Sequence, residues 1–192
     1  MWGDLPPAGV VLVTGASGGV GVACVQLAQA LGHTVVALSR DEQKRRHLER
    51  LGAAHALDPT ADDWTKTLKA LLGRRRVDLA VDNIGGTLLP QVIETLGDHG
   101  RVSCVGRLAG PVPQFNTATL FFRRVRLGGV NVGGYKPAES QAAWAKALEL
   151  MGRVGAKPLV DKVFPFDQLP AAFERLRAGP MGKVLLAVTG RA

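Results

Sequence analysis

From Val10 to Gly21 the chain reads Val-Val-Leu-Val-Thr-Gly-Ala-Ser-Gly-Gly-Val-Gly. An apolar run ends in a glycine-rich turn, and a helical pattern follows at once. A diphosphate needs this arrangement: backbone N–H groups aimed at it, no side chains in the way, and the positive end of a helix dipole facing it. Gly18 and Gly19 permit the close approach, and Gly21 lets the helix pack tightly on the strand. Ala16 takes the place of the first glycine in G-x-G-x-x-G, which alanine is small enough to fill. The candidate diphosphate contacts are therefore Ala16, Ser17, Gly18, Gly19, Val20 and Gly21.

The end of the next strand decides which nicotinamide nucleotide such a site prefers. An acidic residue there, about 20 positions past the glycines, binds the ribose 2′-hydroxyl. Here the stretch is Leu38-Ser39-Arg40-Asp41. Ser39 can hydrogen-bond a 2′-phosphate, and Arg40 can pair with its charge and stack on adenine. Lys44, one turn into the following helix, adds a second cation. Asp41 is read as the N-cap of that helix. The expected cofactor is NADPH.

Rival chemistries fail on missing residues. The glycines also fit T-G-x-x-x-G-x-G, the opening of short-chain dehydrogenases, which need Tyr and Lys four positions apart. The one tyrosine is Tyr135, and position 139 is Glu139. Gly179-Pro180-Met181-Gly182-Lys183-Val184 is too short for a phosphate-transfer loop and lacks its Ser/Thr. His33, His47, His55 and His99 are scattered, and neither cysteine has a partner at ligand spacing, so no metal site is expected. Cys24 and Cys104 read as small apolar residues, and His99 as a turn residue. Asp82 is expected to hold a loop by hydrogen bonds rather than to act as a catalytic acid. No catalytic side chain is assigned.

The elements that must position these groups alternate. Buried-strand runs occur at 10–14, 34–38, 77–81, 101–105, 127–132 and 184–188, with a short edge strand at 55–57. Helices are expected over 20–31, 41–51, 62–72, 88–96 and 140–151, the first burying Val20, Cys24, Leu27 and Leu31. This alternation predicts an α/β fold, a Rossmann-type doubly wound parallel sheet of order 3-2-1-4-5-6. Residues 1–154 would form the dinucleotide-binding domain and 155–192 a small strand–helix–strand extension. In that extension Asp167 would cap a helix with Leu169, Phe173 and Leu176 on one face.

Bulk properties set outer limits. At 192 residues and 46% hydrophobic the chain can bury a sizeable core. No apolar stretch approaches the ~20 residues of a membrane span. Met1-Trp2-Gly3-Asp4-Leu5-Pro6-Pro7 has no secretory pattern, and two cysteines form no disulfide framework; a cytoplasmic setting is expected. The net charge of +8 invites a nucleic-acid reading. Arg45-Arg46, Arg74-Arg75-Arg76 and Arg123-Arg124 are however scattered, with no interleaved aromatics, so that reading ranks below a nucleotide site.

With these residues the chain resembles the medium-chain dehydrogenase/reductase superfamily, in its zinc-independent quinone oxidoreductase and enoyl reductase branch. The likeness rests on Val13–Gly21, Leu51-Gly52-Ala53, Val77–Gly86, Gly100-Arg101-Val102 and Gly182–Leu186. It implies that Asn83 and Ile84 lie near the ribose and nicotinamide, with Gly106 and Arg107 on the cofactor's other flank. It implies hydride transfer from NADPH to a small conjugated carbonyl or quinone in a full enzyme. It also implies a barrel-like catalytic domain, absent here, so the expectation is a cofactor domain excised from a larger polypeptide and inactive alone. Trp2, Leu159, Val160 and Phe164 would then be exposed. Relatives pair through an edge strand, which implies a homodimer through 124–132. A non-catalytic module that senses the nucleotide or binds nucleic acid is the alternative. A complete small reductase would have only Tyr135 as proton donor.

Overall fold

A computed structural model describes residues 5–111 and 114–188. Six parallel strands form one sheet in the order β3-β2-β1-β4-β5-β6. They are β1 (Val10–Val13), β2 (Thr34–Leu38), β3 (His55–Leu57), β4 (Val77–Asp82), β5 (Leu96–Cys104) and β6 (Arg126–Gly129). Helices α1 (Gly19–Ala30), α2 (Glu42–Arg50), α3 (Trp64–Leu72), α4 (Leu88–Thr95) and α5 (Ala118–Arg123) make the crossovers. Then come α6 (Pro137–Arg153), β7 (Val160–Pro165), α7 (Leu169–Arg177) and β8 (Lys183–Ala187). The expected doubly wound sheet and its order are what the chain adopts.

Strand β1 is apolar at every position, and β2 is apolar from Val35 to Leu38, because both faces are covered. Val10, Leu12, Val36 and Leu38 point to the layer containing Trp64, Leu68, Val92 and Ile93. The intervening Val11, Val13, Val35 and Ala37 pack with Val22, Val25 and Leu48 on the other side. Each fully buried leucine or valine stabilises the fold by about 1.5–3 kcal/mol relative to exposure.

Several expectations need correction. In α1, Val20 and Leu31 are exposed, while Gly21, Val22, Val25 and Ala28 face the sheet. The helix is apolar nearly all round, so periodicity alone does not choose its face. The contact at Gly21 chooses it: a Cβ there would stand 2.4 Å from the Gly15 carbonyl oxygen. The last strand does not join the main sheet. It pairs in parallel with β7 in a separate two-stranded sheet. Asp167 caps nothing; it lies in a 3-10 turn, Phe166–Gln168, and α7 starts after it. The Leu169, Phe173 and Leu176 face is exposed, and Ala172 is the buried residue of α7. Phe164 is 4% exposed and Leu159 packs partly against the core, whereas Val160 is exposed as expected. Trp2 lies outside the described residues. The β6 strand is shorter than the run 127–132, and α6 starts earlier than residue 140.

His99, expected in a turn, lies instead within β5, at an irregularity of the strand. The sheet register jumps from Val77–Leu96 to Leu79–Arg101, and the surplus residues loop out with His99 at φ +59°. No helix among the described residues is long and apolar enough to cross a membrane.

Candidate functional site

The ends of β2, β1, β4 and β5 lie side by side, so their following loops meet along one edge of the sheet. Between β1 and β4 the order reverses, with α1 on one face and α4 on the other. Crevices at such switch points are where doubly wound sheets bind ligands.

Gly15 begins the turn in the left-handed region, at φ +56°, which glycine adopts without strain. A Cβ on it would stand 2.9 Å from Ile84 Cδ1. The Gly18 N–H closes the turn on the Gly15 carbonyl at 3.0 Å. Gly18 is the N-cap of α1 and offers no side-chain acceptor, and no acidic residue occupies the first turn. The first N–H groups of α1 therefore keep their positive end for an external anion. Ala16 is buried and donates its N–H to the Leu38 carbonyl, tying the turn to the end of β2.

A buried cross-brace fixes the β1 and β4 ends together. Thr14 Oγ1 donates to Asp82 Oδ1 at 2.7 Å and accepts from the Asn83 N–H at 2.9 Å. Asn83 Nδ2 donates to the Thr14 carbonyl at 2.8 Å. The Asp82 carboxylate, in a residue 1% exposed, also accepts from the N–H groups of Ile84 and Gly85. Asp82 is thus a loop holder with its oxygens already engaged. Asn83 spends its amide nitrogen on the brace, while Ile84 leans over Gly15.

The Gly106–Ala109 loop closes on this corner. A Cβ on Gly106 would stand 2.5 Å from the Asn83 carbonyl oxygen, and Ala109 N–H donates to the Ile84 carbonyl. Arg107 is exposed beside Gly85. Cys104, just before, has its thiol pushed up by burial and by the Asp82 charge. Burial also raises Cys24. Both are half-buried and poorly disposed to form thiolate.

At the end of β2, Asp41 accepts from the Lys44 N–H at 2.9 Å and caps α2 as expected. Ser39 is 6% exposed and Arg40 is exposed. Lys44 does not stand open to this turn: its ammonium donates to the Gly179 carbonyl at 2.5 Å. The contact arises because the C-terminal extension folds back here. Gly182 N–H donates to the Ser17 carbonyl at 2.8 Å and forms an isolated bridge with Gly18.

That return brings in a residue the sequence reading missed. A Cβ placed on Gly19 would stand 2.5 Å from Lys183 Cε and 2.8 Å from its Nζ. A lysine ammonium therefore sits at the first turn of α1, beside the glycines. Its signal was Gly182-Lys183 itself, an open-backbone residue followed by a cation. Among the described residues no three His, Cys, Asp or Glu side chains converge as a metal cluster.

A doubly wound parallel sheet with a bare glycine turn at its switch point defines the dinucleotide-binding class of domain. The chain belongs to the zinc-binding dehydrogenase family, whose pattern matches residues 19–153. It is 29% identical to the quinone oxidoreductase of Lama guanicoe over 179 residues, 92% of this chain and 53% of that protein. It is 32% identical to the probable acrylyl-CoA reductase AcuI of Escherichia coli over 148 residues, 76% of this chain and 44% of that one. A solved alcohol dehydrogenase, so described, from Sinorhizobium meliloti superposes with a TM-score of 0.84 at 30% identity. It is covered over 49% of its length, against 95% of this chain. The chain thus spans about half the length of the relatives it matches.

Proposed function

We propose that this chain is the NADPH-binding domain of a zinc-independent oxidoreductase, one that reduces a conjugated carbonyl or a quinone. The observation that carries the cofactor reading is the end of β2. It bears a neutral Ser39 and an exposed Arg40 where an acceptor for a ribose hydroxyl would have to be, and Asp41 is occupied as a cap. Residues Ser17 to Gly21 would receive the diphosphate, helped by Lys183, while Ala16, expected to share that contact, is buried with its N–H given to Leu38 and would only support the turn. Ser39 and Arg40 would take the 2′-phosphate, with Lys44 adding charge from behind. Asn83, Ile84, Gly106 and Arg107 would line the ribose and nicotinamide side. Gly18 and Gly19 present no Cβ at the first turn of α1, and the Lys183 ammonium stands beside Gly19, which fits an anionic group there.

Bound NADPH would supply the hydride; this chain's part is to bind, orient and exclude water. The substrate class is supported by the relatives named quinone oxidoreductase and acrylyl-CoA reductase. Residues 1–154 would be the nucleotide domain and 155–192 the part that meets a substrate domain supplied elsewhere. The exposed Phe166, Phe173 and Leu176 fit that role. Without those walls the isolated chain would bind nucleotide and turn over little. The edge position of β6 and the exposed Phe121 and Phe122 favour a homodimer through 124–132. A monomer mass by light scattering at micromolar concentration would remove that part. A cytoplasmic setting fits such an enzyme.

The deciding experiment is a fluorescence titration with NADPH and NADH side by side. Tight NADPH and weak NADH binding is the expected result. Binding of neither would bring the non-catalytic module forward.

A further inference from the structure

The Ser39–Arg40 turn is held from beneath by a side chain with no role so far. Arg45 lies one turn into α2. Helical side chains lean toward the N-terminus of their helix, so this one reaches back to the residues preceding it. Its Nη1 donates to the Ser39 carbonyl at 2.8 Å and to the Arg40 carbonyl at 2.9 Å. The same nitrogen meets Asp58 Oδ2 at 3.1 Å. Asp58 is fixed in turn by the Thr60 N–H at 2.9 Å and the Thr60 hydroxyl at 2.6 Å. Ser39 N–H donates to the Leu57 carbonyl at 3.0 Å. The turn after β2 is therefore anchored to the turn after β3 through one guanidinium.

We propose that Arg45 is the positioning residue that sets nucleotide selectivity in this domain. It holds Ser39 and Arg40 in the one backbone arrangement that meets a 2′-phosphate. The inference rests on the NADPH reading above. Two features separate positioning from simple attraction. Arg45 shares its charge with Asp58, whose carboxyl is held below its ordinary range first by the Thr60 hydroxyl and also by Arg45. The pair therefore projects little net field, and its effect must come through geometry. And two successive carbonyls bound to one cation restrain the rotation of the turn's peptide planes. The diphosphate contacts at Gly18 and Gly19 lie outside this network, so they should not feel its loss.

The test is titration of the full chain with NADPH and with NADH, at one ionic strength, for wild type, Arg45→Met, Arg45→Lys and Asp58→Asn. Losing charge-assisted hydrogen bonds at Arg45→Met should raise the NADPH Kd about tenfold. NADH should change less than about twofold, because it lacks the phosphate that the turn receives. Arg45→Lys, which keeps a charged donor, should recover part of the ratio. Asp58→Asn should lower it in the same direction by less, and serves as the reporter if Arg45→Met does not melt cooperatively. Equal weakening of both nucleotides would mean a merely structural role and overturn the proposal, as would an unchanged ratio in the folded variants. A wild type with no NADPH preference would overturn the cofactor reading itself, and this inference with it.

Discussion

Lys183 and Gly19 are in contact across the junction between the C-terminal two-stranded sheet and the first helix. The lysine side chain fills the space a Cβ on Gly19 would need. The atoms that would be hit are the far end of a flexible chain, which can swing aside. Gly19→Ala should therefore fold with stability within about 1 kcal/mol of wild type. It should nonetheless weaken nucleotide binding by displacing the ammonium. Lys183→Met should weaken NADPH and NADH alike, by about tenfold, since the diphosphate is common to both. Titrations of both variants with both nucleotides check this; a loss confined to NADPH would place Lys183 elsewhere.

Gly21 meets backbone instead. A Cβ there would stand 2.4 Å from Gly15 O and 2.6 Å from Ala16 Cα, which can yield only if α1 lifts from β1. Gly21→Ala should lower stability by about 1–3 kcal/mol, as overpacking does. Urea denaturation of the two alanine variants side by side reads the contrast. Similar midpoints would show that the two contacts are equally soft.

These two glycines also show what the sequence could and could not convey. The uninterrupted apolar runs of β1 and β2 announce strands buried on both faces, and the glycines between β1 and α1 announce the tight turn at the switch point. Asp41 announces a cap, because its type and place before a charged helix leave it little else to do. The face of α1 was not legible, since Val20, Val22, Cys24, Val25, Leu27 and Leu31 offer apolar stripes all round. Only the tertiary contact at Gly21 selects one. Lys183 was not legible as a neighbour of Gly19, because nothing local says that the chain's last strand returns to its first turn. Arg45 looked like part of a basic cluster. Its bonds to carbonyls five and six residues back depend on how the β2 and β3 loops are stacked.

The pocket assignment at the end of β2 makes its own demand. Ser39→Asp combined with Arg40→Ala places an acceptor for a ribose hydroxyl there and removes the exposed cation. NADPH binding should weaken and NADH binding should tighten, so that the preference inverts. Kd values from nucleotide fluorescence measure it. Unchanged affinities for both would show that the 2′-phosphate does not bind at this turn.

Thr14 bonds Asp82 and Asn83 at the centre of the site, out of water. Thr14→Val keeps the shape and removes the hydroxyl. It leaves the Asn83 N–H without that acceptor and the Asp82 carboxylate with one donor fewer. A cost of about 1–3 kcal/mol is expected, seen as a lower urea midpoint at constant m-value. Thr14→Ser should restore most of it. A Val variant as stable as wild type would show that the brace is not what holds the β1 and β4 ends together.

One ion pair ties together three parts of the extension that carries Lys183. Asp161 in β7 takes Arg175 Nε at 2.6 Å and Nη2 at 2.5 Å, and accepts the Met181 N–H at 3.3 Å. It thereby joins β7, α7 and the turn leading into β8. Hydrogen bonds from Arg175, with support from Met181, hold the Asp161 carboxyl below its ordinary value of 3.8. The folded chain therefore binds this proton less readily than the unfolded one. The contribution is whole above the ordinary carboxylate range and disappears as pH falls through the lowered folded value. Asp161→Asn should melt below wild type by a constant interval between about pH 7 and pH 5.5, and the interval should begin to narrow below about pH 4 and shrink steadily as pH falls further. Melting curves of the two proteins across that range decide it. An interval that persists undiminished to about pH 2.5 would mean that Asp161 matters for its shape and not for its charge.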